Sequence, residues 1–312
     1  MDRLALLFPG QGSQAVGMGR DLFEHARCAR EVYERASEAI GLDLAALSFE
    51  VPEEELRKTV NTQPALLTAS AAATAVLVER GVEPWAVAGH SLGEWSALVA
   101  ARSVRLEDAV RAVRERGRLM YEAGLAVPGT MAAIVGLTED EIAPLVEEAS
   151  AKGVVQVANL NAPTQIVVSG EVGAVRFAME LAGAREGVRA TELKVSGAFH
   201  SSLLDEARRG MESVVAGVGL ERPRALFVAN VTGKPAEEPE EIRRGLAGQI
   251  VSPVRWVDSV RSLAGAGASQ FVEVGPGNVL RGLLRKIEPG ARSHGVATFE
   301  DAERLASALA AA

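Results

Sequence analysis

The chain has 312 residues, of which 48% are hydrophobic and 24% charged, and its formal net charge is -8. This acidic balance argues against nucleic acid as the main partner, because binding to phosphates needs a basic surface. The single cysteine, Cys28, excludes a disulfide within the chain and is typical of a reducing compartment. The N-terminus does not resemble a secretion signal, and the longest apolar run is too short to span a bilayer. We therefore expect a cytoplasmic protein with no membrane partner.

Strands and helices alternate over most of the chain. The first part predicts a strand at Leu4–Phe8, helices at 21–40 and 63–80, a strand at 85–89, and helices at 92–101 and 106–122. The last part predicts a helix from 201, a strand at 225–229, a helix at 255–266, a strand at Gln270–Val274, a helix after 277 and a final helix at 301–312. This alternation is typical of a doubly wound, mostly parallel α/β sheet.

The middle of the chain has a different order of elements. We predict a strand at 131–135, a helix after Thr138, strands at 154–160 and 165–169, a helix at 171–183 and a strand at 188–195. The order β-α-β-β-α-β is that of a ferredoxin-like unit. The sequence thus predicts an α/β protein with two parts. Residues 1–127 and 196–312 form a larger α/β-hydrolase-like domain, and residues 128–195 form an inserted ferredoxin-like subdomain.

Gly89-His90-Ser91-Leu92-Gly93 has the pattern G-x-S-x-G between a predicted buried strand and a predicted helix. A nucleophile elbow requires that setting, because the sharp turn exposes the serine oxygen at the helix N-terminus. The amide of Leu92, directly after the serine, is one donor expected for an oxyanion hole. The alternative is an ordinary strand-to-helix turn in which Ser91 only caps the helix.

A nucleophilic serine needs a base, and the candidates are His25, His90, His200 and His294. His25 and His294 have no motif around them. His90 adjoins Ser91, but neighbouring side chains rarely point the same way, so we expect it to pack beneath the elbow. His200 lies where the predicted subdomain ends, and a junction between domains is a natural place for a cleft. A surface histidine near a helix start fits the same spacing.

The loop Pro9-Gly10-Gln11-Gly12 follows the first predicted strand. Ligand sites of open α/β sheets lie at the carboxyl ends of strands, so this loop is a candidate for the second oxyanion donor. A phosphate-binding P-loop is a poor alternative, because no Lys-Ser or Lys-Thr pair follows the glycines.

Arg116 borders the apolar stripe of the helix predicted at 106–122. A partly buried guanidinium favours a carboxylate partner, ideally one bound through two hydrogen bonds. An internal salt bridge or a surface arginine fits this spacing equally well. The sequence pattern alone leaves these three interpretations open.

Together these residues resemble the malonyl-CoA:acyl-carrier-protein transacylases of fatty acid synthesis and, more distantly, the acyltransferase domains of polyketide synthases. The similar segments extend along nearly the whole chain and keep their order and spacing. They are FPGQGSQ (8–14), TQPA (62–65), GHSLGE (89–94), RG (116–117), NAPTQ (161–165), AFHS (198–201), NVTG (230–233), Gln249 and EVGPG (273–277).

The resemblance implies a ping-pong transfer of a malonyl group from malonyl-CoA to the phosphopantetheine thiol of an acyl carrier protein, with no metal or other cofactor. The implied residues are Ser91 as nucleophile, His200 as general base and then acid, the amides of Gln11 and Leu92 as oxyanion hole, Arg116 for the malonyl carboxylate, and Gln249 for orienting His200 through a backbone carbonyl. Phe199, Gln63, His90 and Asn161 are expected in the substrate pocket. Phe199 resembles the variant associated with malonyl rather than methylmalonyl selection. We expect a monomer.

Two other functions stay open on the sequence. A proofreading acyl hydrolase of a polyketide pathway shares the fold of the transacylases. A serine hydrolase of the α/β-hydrolase type on the same kind of elbow needs an acid between the serine and the histidine. Asp140 and Glu171 are the candidates for that acid. A non-catalytic module that docks a carrier protein is the third interpretation. The joint presence of Ser91, His200, Gln11 and Arg116 argues against it.

Basic residues recur at helical spacing after Gly277, namely Arg281, Arg285 and Lys286. Acyl carrier proteins are acidic as a class, whereas this chain is itself acidic, so contact with a carrier needs a local basic surface. These three residues are candidates for that surface. A solvated helix face explains them equally well.

Overall fold

The structure, a computed structural model, describes residues 3–311. Its strands, numbered along the chain, are β1 Leu4–Phe8, β2 Ala86–Gly89, β3 Gly129–Val135, β4 Val155–Ala162, β5 Gln165–Glu171, β6 Arg189–Glu192, β7 Leu226–Val228, β8 Gln270–Val274 and β9 Arg292–Val296. Its α-helices are α1 Arg20–His25, α2 Arg27–Ile40, α3 Leu44–Phe49, α4 Glu53–Arg57, α5 Thr59–Glu79, α6 Gly93–Ala100, α7 Leu106–Ala126, α8 Glu139–Ala149, α9 Val172–Gly183, α10 Asp205–Ala216, α11 Pro239–Gly248, α12 Trp256–Gly265, α13 Val279–Ile287 and α14 Phe299–Ala310. Short 3₁₀ turns lie at Ser150–Lys152, Ser202–Leu204 and Gln249–Val251. No helix within residues 3–311 is long and apolar enough to cross a membrane.

A parallel sheet with the strand order β7-β2-β1-β8-β9 forms the centre of the larger part of the molecule. Every residue of β1, β2 and β8 is buried, as expected for parallel strands covered by helices on both faces. Parallel strands end at the same edge of a sheet. The loops that follow Phe8, Gly89 and Val274 therefore meet at one edge, where such folds bind their ligands. The predicted α/β class with a mostly parallel sheet is confirmed.

Residues 129–192 form a separate sheet with the strand order β4-β5-β3-β6 and antiparallel pairing throughout. Helices α8 and α9 pack against it and share an apolar core of their own, which includes Ile134, Ile142 and Val175. A capping box between Thr138 and Glu141 starts α8. The elements follow the predicted order β-α-β-β-α-β.

Several predicted boundaries differ from the structure. The single helix predicted at 21–40 is two helices, because the backbone of Ala26 is extended and separates α1 from α2. Strand β9 gives no signal in the sequence, since it is a polar edge strand that buries little. The helices α3 and α4 are too short to show a periodicity, and β6 is shorter than the predicted 188–195. Met1, Asp2 and Ala312, which the predicted N-terminus and final helix include, lie outside the described residues.

Helices α5 and α7 approach each other closely, and this contact sets the position of Arg116. Pro64 lies inside α5 and has no N–H, so the carbonyl of Val60 lacks its partner within the helix. Arg114 on α7 donates to that carbonyl at 2.8 Å. A Cβ added at Gly117 would lie 2.9 Å from the Cα of Val60, so only glycine permits this spacing.

Gly93 allows α6 to lie directly against β1, since an added Cβ would lie 2.0 Å from the carbonyl oxygen of Phe8. We expect Gly93→Ala to lower the free energy of unfolding by about 1–3 kcal/mol, because the helix must move away from the strand. Gly245→Ala in α11 is the matched control: nothing lies within 4 Å of its added Cβ, so it should stabilise by about 0.4–1 kcal/mol. Urea unfolding followed by circular dichroism measures both. Equal effects of the two variants would contradict the close contact.

Candidate active site

Ser91 lies on a sharp turn between β2 and α6, with a backbone φ of 52°, in the left-handed region. Such a conformation is uncommon for serine and stores strain, which is typical of functional turns. A Cβ added at Gly89 would lie 1.9 Å from the carbonyl atoms of Gly93, so the turn closes only with glycine there. Ser91 does not cap α6. The strand–turn–helix setting of a nucleophile elbow is confirmed, and the interpretation of Ser91 as a simple cap is wrong.

His200 contacts Ser91 directly, with 2.8 Å between its Nε2 and the serine Oγ. Its other nitrogen, Nδ1, donates to the backbone carbonyls of Gln249 at 2.9 Å and Ser252 at 3.1 Å. Carbonyl oxygens only accept hydrogen bonds, so the proton of the neutral ring lies on Nδ1. Nε2 is then free to accept the proton of Ser91.

The other histidines do not reach Ser91. His90 is placed beneath the elbow as expected: its Nε2 lies 2.7 Å from Oδ1 of Asn161, and its ring packs against Trp256. His25 is exposed beside Asp21 on α1, and His294 lies on the edge strand β9. Of the candidates, only His200 has the geometry of a base for Ser91.

Arg116 is 1% exposed and lies beside the serine. Its Nη1 donates to Oε1 of Gln63 at 2.7 Å, and its Nη2 donates to Oε1 of Gln249 at 2.8 Å and to Oγ of Ser91 at 3.1 Å. Its Nε has no partner among residues 3–311, and no carboxylate of these residues forms an ion pair with it. Burial lowers the pKa of Arg116 to about 10, so the side chain is still charged at neutral pH. Arg116 is therefore neither part of an internal salt bridge nor exposed at the surface.

The charge of Arg116 changes the chemistry of the base. Burial, together with the nearby positive charge of Arg116, lowers the pKa of His200 to about 3. The imidazole is therefore neutral at physiological pH, as a group that must take a proton from serine needs to be.

The backbone of Ser91 is held by two side-chain amides. Its N–H donates to Oδ1 of Asn230 at 2.7 Å, and its carbonyl accepts from Nε2 of Gln249 at 2.9 Å. Both of these residues contact the buried carboxylate of Glu94. Asn230 and Glu94 belong to the segments that carry the family resemblance, but no spacing argument predicts their contact with Ser91.

A cavity of about 120 Å³ opens onto the serine. The side chains and backbone that line it come from both parts of the molecule: Gln11, His90, Ser91, Leu92, Arg116, Met120, Met131, Asn159, Leu193, Val195, Phe199 and His200. The size suits a short acyl group. The backbone N–H groups of Gln11 and Leu92 donate to no acceptor among residues 3–311, so both can donate to a ligand in this space.

Some pocket residues differ from those expected. Gln63 and Asn161 do not line the cavity but lie one layer behind it, where they contact Arg116 and His90; their predicted place in the pocket wall is corrected accordingly. Asn159 lines the cavity, and its side-chain amide bonds to no residue within 3–311. The sequence gives no signal for it, because it lies within a predicted apolar strand.

The remaining candidates lie elsewhere. The Nε of Arg281 lies 3.7 Å from Oε2 of the buried Glu273, and Lys286 donates to Oε1 of Gln165 at 2.7 Å. Arg285 lies in the last turn of the same helix, α13. Within the described part of the chain, no group of three or more His, Cys, Asp or Glu side chains is placed to hold a metal ion.

This geometry and the α/β fold define a class: enzymes that carry an acyl group on a serine activated by histidine. The chain belongs to the acyl transferase domain family, whose sequence model matches residues 5–304.

Individual relatives agree with this assignment. The malonyl CoA-acyl carrier protein transacylase of Bacillus subtilis (strain 168) is 41% identical over 304 residues, which cover 97% of this chain and 96% of that protein. The crystal structure of the corresponding transacylase from Clostridium perfringens superposes with a TM-score of 0.95 at 36% identity, covering 99% of this chain and 98% of that one. A malonyl-transacylase solved in complex with its holo type II PKS acyl-carrier protein has a TM-score of 0.93 at 38% identity, with coverage of 98% and 99%.

The two histidines near the elbow give a direct test of the site. We expect a fluorophosphonate reagent to label Ser91 and to leave Ser91→Ala unlabelled. His200→Ala should slow labelling by about 10²–10⁴, the usual contribution of a positioned proton acceptor. His90→Ala removes an imidazole that forms no hydrogen bond with Ser91, so it is the matched control and should slow labelling far less. The same loss in both variants would return His90 to consideration as the base. Labelling rates by intact-protein mass spectrometry decide between them.

Proposed function

We propose that the protein transfers the malonyl group of malonyl-CoA to the phosphopantetheine thiol of an acyl carrier protein, in fatty acid or polyketide biosynthesis. The observation that carries this proposal is the buried guanidinium of Arg116, which lies 3.1 Å from Oγ of Ser91 and forms no ion pair with a carboxylate among residues 3–311. An acyl group that carries its own carboxylate supplies that partner. The names of the relatives support the same donor and acceptor.

The transfer proceeds in two half-reactions. His200 takes the proton of Ser91 as Oγ attacks the thioester carbonyl, and the amides of Gln11 and Leu92 donate to the oxygen that becomes negative. The intermediate collapses to a malonyl ester, and coenzyme A leaves as a thiol with the proton from His200. His200 then takes the proton of the carrier's thiol, whose sulfur attacks the ester, and returns it to Ser91. Gln249 orients His200 through its backbone carbonyl, and Arg116 holds the malonyl carboxylate throughout.

Hydrolysis is the competing function, and the surroundings of His200 favour transfer. The hydrolase interpretation assigns an acid to the histidine, with Asp140 or Glu171 in that role. Asp140 lies in the exposed first turn of α8, and the carboxylate of Glu171 accepts the N–H of Val154. Neither contacts His200, whose Nδ1 donates to carbonyl oxygens instead. A hydrolase also leaves Arg116 without a role.

The reaction needs no metal or other cofactor in this proposal, because residues of the chain account for each proton transfer and each developing charge. The partners are a coenzyme A thioester and an acyl carrier protein, with neither nucleic acid nor membrane. A cytoplasmic monomer stays a prediction. Selection of malonyl over methylmalonyl by Phe199 is supported by its position in the cavity wall.

The finer description of the fold is also a proposal. Residues 1–127 and 196–312 form an α/β-hydrolase-like domain, and residues 128–195 form a ferredoxin-like subdomain inserted into it. The β-α-β-β-α-β order of this segment and its antiparallel strand order β4-β5-β3-β6 support the second assignment.

Arg116→Ala tests the substrate. We expect the ratio of kcat/KM for malonyl-CoA to that for acetyl-CoA to fall by about 10²–10⁴, because two charge-assisted hydrogen bonds to the carboxylate are lost. Arg116→Lys should restore little, since an ammonium cannot form the two-pronged contact. Arg118→Ala is the matched control: this arginine lies on the same helix but is exposed and paired with Glu115 and Glu122. If Arg116→Ala lowers kcat/KM for both donors by the same factor, the arginine is structural and the malonyl assignment loses its support.

We also propose that Arg285 and Lys286 on α13 contact the acidic carrier protein. Reversing both to glutamate should slow transfer to carrier protein, and the defect should grow as salt is lowered, because screening weakens. Transfer to free pantetheine, measured on the same preparations, is the control and should not change. Equal loss with both acceptors would contradict a docking role.

A further inference from the structure

The strained backbone of Ser91 is held in place by a set of buried polar contacts. With a φ of 52°, this residue departs from the conformation that serine prefers, so its surroundings must stabilise the turn. Asn230 makes two contacts with the turn just before the Cα of the strained residue: its Oδ1 accepts from the N–H of Ser91 at 2.7 Å, and its Nδ2 donates to the carbonyl of Gly89 at 2.6 Å. Gln249 donates to the carbonyl of Ser91 at 2.9 Å.

Glu94 connects the two amides. It lies one helical turn after the nucleophile, in the first turn of α6, and is 2% exposed. Its Oε1 accepts from the backbone N–H of Asn230 at 2.7 Å, and its Oε2 accepts from the side-chain Nε2 of Gln249. Each carboxylate oxygen thus holds one of the two residues that hold Ser91.

The carboxylate also determines which way the amide of Gln249 faces. An ionised carboxylate only accepts hydrogen bonds, so Nε2 of Gln249 must face Glu94 and Oε1 must face away. Oε1 then accepts from Nη2 of Arg116 at 2.8 Å. A reversed amide would place its NH₂ group against the guanidinium, donor against donor.

We propose that Glu94 is a positioning residue of this enzyme: its carboxylate fixes Asn230 and Gln249, and through them the backbone of Ser91 and the acceptor that faces Arg116. The proposal rests on the proposed function only in taking Ser91 as the nucleophile. It does not depend on which acyl group is transferred.

The ionisation of Glu94 offers a readout that a purely structural role would not change. Burial raises the pKa of Glu94 to about 7, while Asn230, Gln249 and the charge of Arg116 oppose a larger increase. Arg116 is the charged group that acts on Glu94 from α7, and burial lowers the pKa of both nearby histidines, His90 and His200. The carboxylate is lost as pH falls through about 7, whereas His200 stays neutral far below that pH. A loss of reactivity near pH 7 is therefore expected from Glu94.

The experiment measures the rate at which a fluorophosphonate labels Ser91 in the full-length protein between pH 5 and 8. Wild type should lose reactivity as pH falls through about 7. Glu94→Gln should be slower at pH 8 by about 10- to 100-fold, because small displacements of a reacting group cost rates of this order, and its rate should not vary with pH. Glu273→Gln is the matched control: this glutamate is also fully buried, but it accepts the N–H groups of Leu280 and Arg281 at the start of α13. It should keep both the wild-type rate and its pH dependence.

Each outcome decides the question. Labelling of Glu94→Gln within about threefold of wild type, or a Glu94→Gln rate that still falls near pH 7, would overturn the role of Glu94. If Glu94→Gln does not fold, the wild-type profile decides, because a rate that is flat from pH 8 to 6 contradicts the proposal. The reagent carries no malonyl group, so these results stand even if malonyl-CoA is not the donor. Failure of malonyl transfer with intact labelling of Ser91 would overturn the proposed function alone.

Discussion

The site is organised around the buried positive charge of Arg116, which forms no ion pair with a carboxylate of residues 3–311 but is close enough to Glu94 for the two charges to interact. Removing a charge from water costs several kcal/mol unless the surrounding groups replace its hydration. Gln63 and Gln249 provide that replacement through their amide oxygens, and Ser91 provides a third acceptor. The close contact of α5 with α7 brings Gln63 within reach of Arg116. The hydrogen bonding of the guanidinium is incomplete, since the Nε of Arg116 lacks a partner in the described part of the chain. In the proposed function, the carboxylate of the malonyl group supplies the missing partner.

The same charge accounts for how the histidine is oriented. A carboxylate at Nδ1 of His200 would stabilise the protonated ring, as in a serine triad. In this enclosed site it would also be attracted to Arg116 and would compete with a carboxylate on the substrate. The carbonyls of Gln249 and Ser252 fix the tautomer of His200 without adding a negative charge. A carbonyl-oriented histidine and a free guanidinium are therefore compatible, whereas an acid-oriented histidine and a free guanidinium would interfere with each other.

The sequence correctly predicts the features that depend on residues close together along the chain. The elbow is local, because an apolar strand, flanking glycines and the following helix all lie within a few residues of Ser91. The choice of His200 over His90 is not local: its partner lies 109 residues away, and residue spacing allowed a surface position equally well. The resemblance to a family, rather than any periodicity, identified His200 instead of His90 as the base. The contact between His200 and Ser91 in the structure agrees with that choice.

The residues that escape prediction are those whose environment is assembled from distant segments. A glutamate in the first turn of a helix is normally explained by the helix dipole, and nothing near Glu94 in the sequence indicates burial. It is enclosed by residues 136 and 155 positions further along the chain. Asn159 is similar, since an isolated polar residue in an apolar strand indicates a cavity only once the residues that face it are in place. Edge strand β9 escapes for the opposite reason, because it buries too little to need an apolar pattern.

Substrate recognition and catalysis share one electrostatic system here. In the free enzyme, burial and the charge of Arg116 hold the pKa of His200 far below its ordinary value, which keeps the ring neutral but makes it a weak base. In the proposed function, the substrate carboxylate offsets the charge of Arg116, which is the second cause, after burial, of the lowered pKa of His200. Under the same proposal, an acyl group without a carboxylate leaves the charge of Arg116 uncompensated beside His200. The proposal therefore implies that discrimination against such a donor extends beyond ground-state binding into the chemical step, where selectivity does not vanish when substrate is saturating.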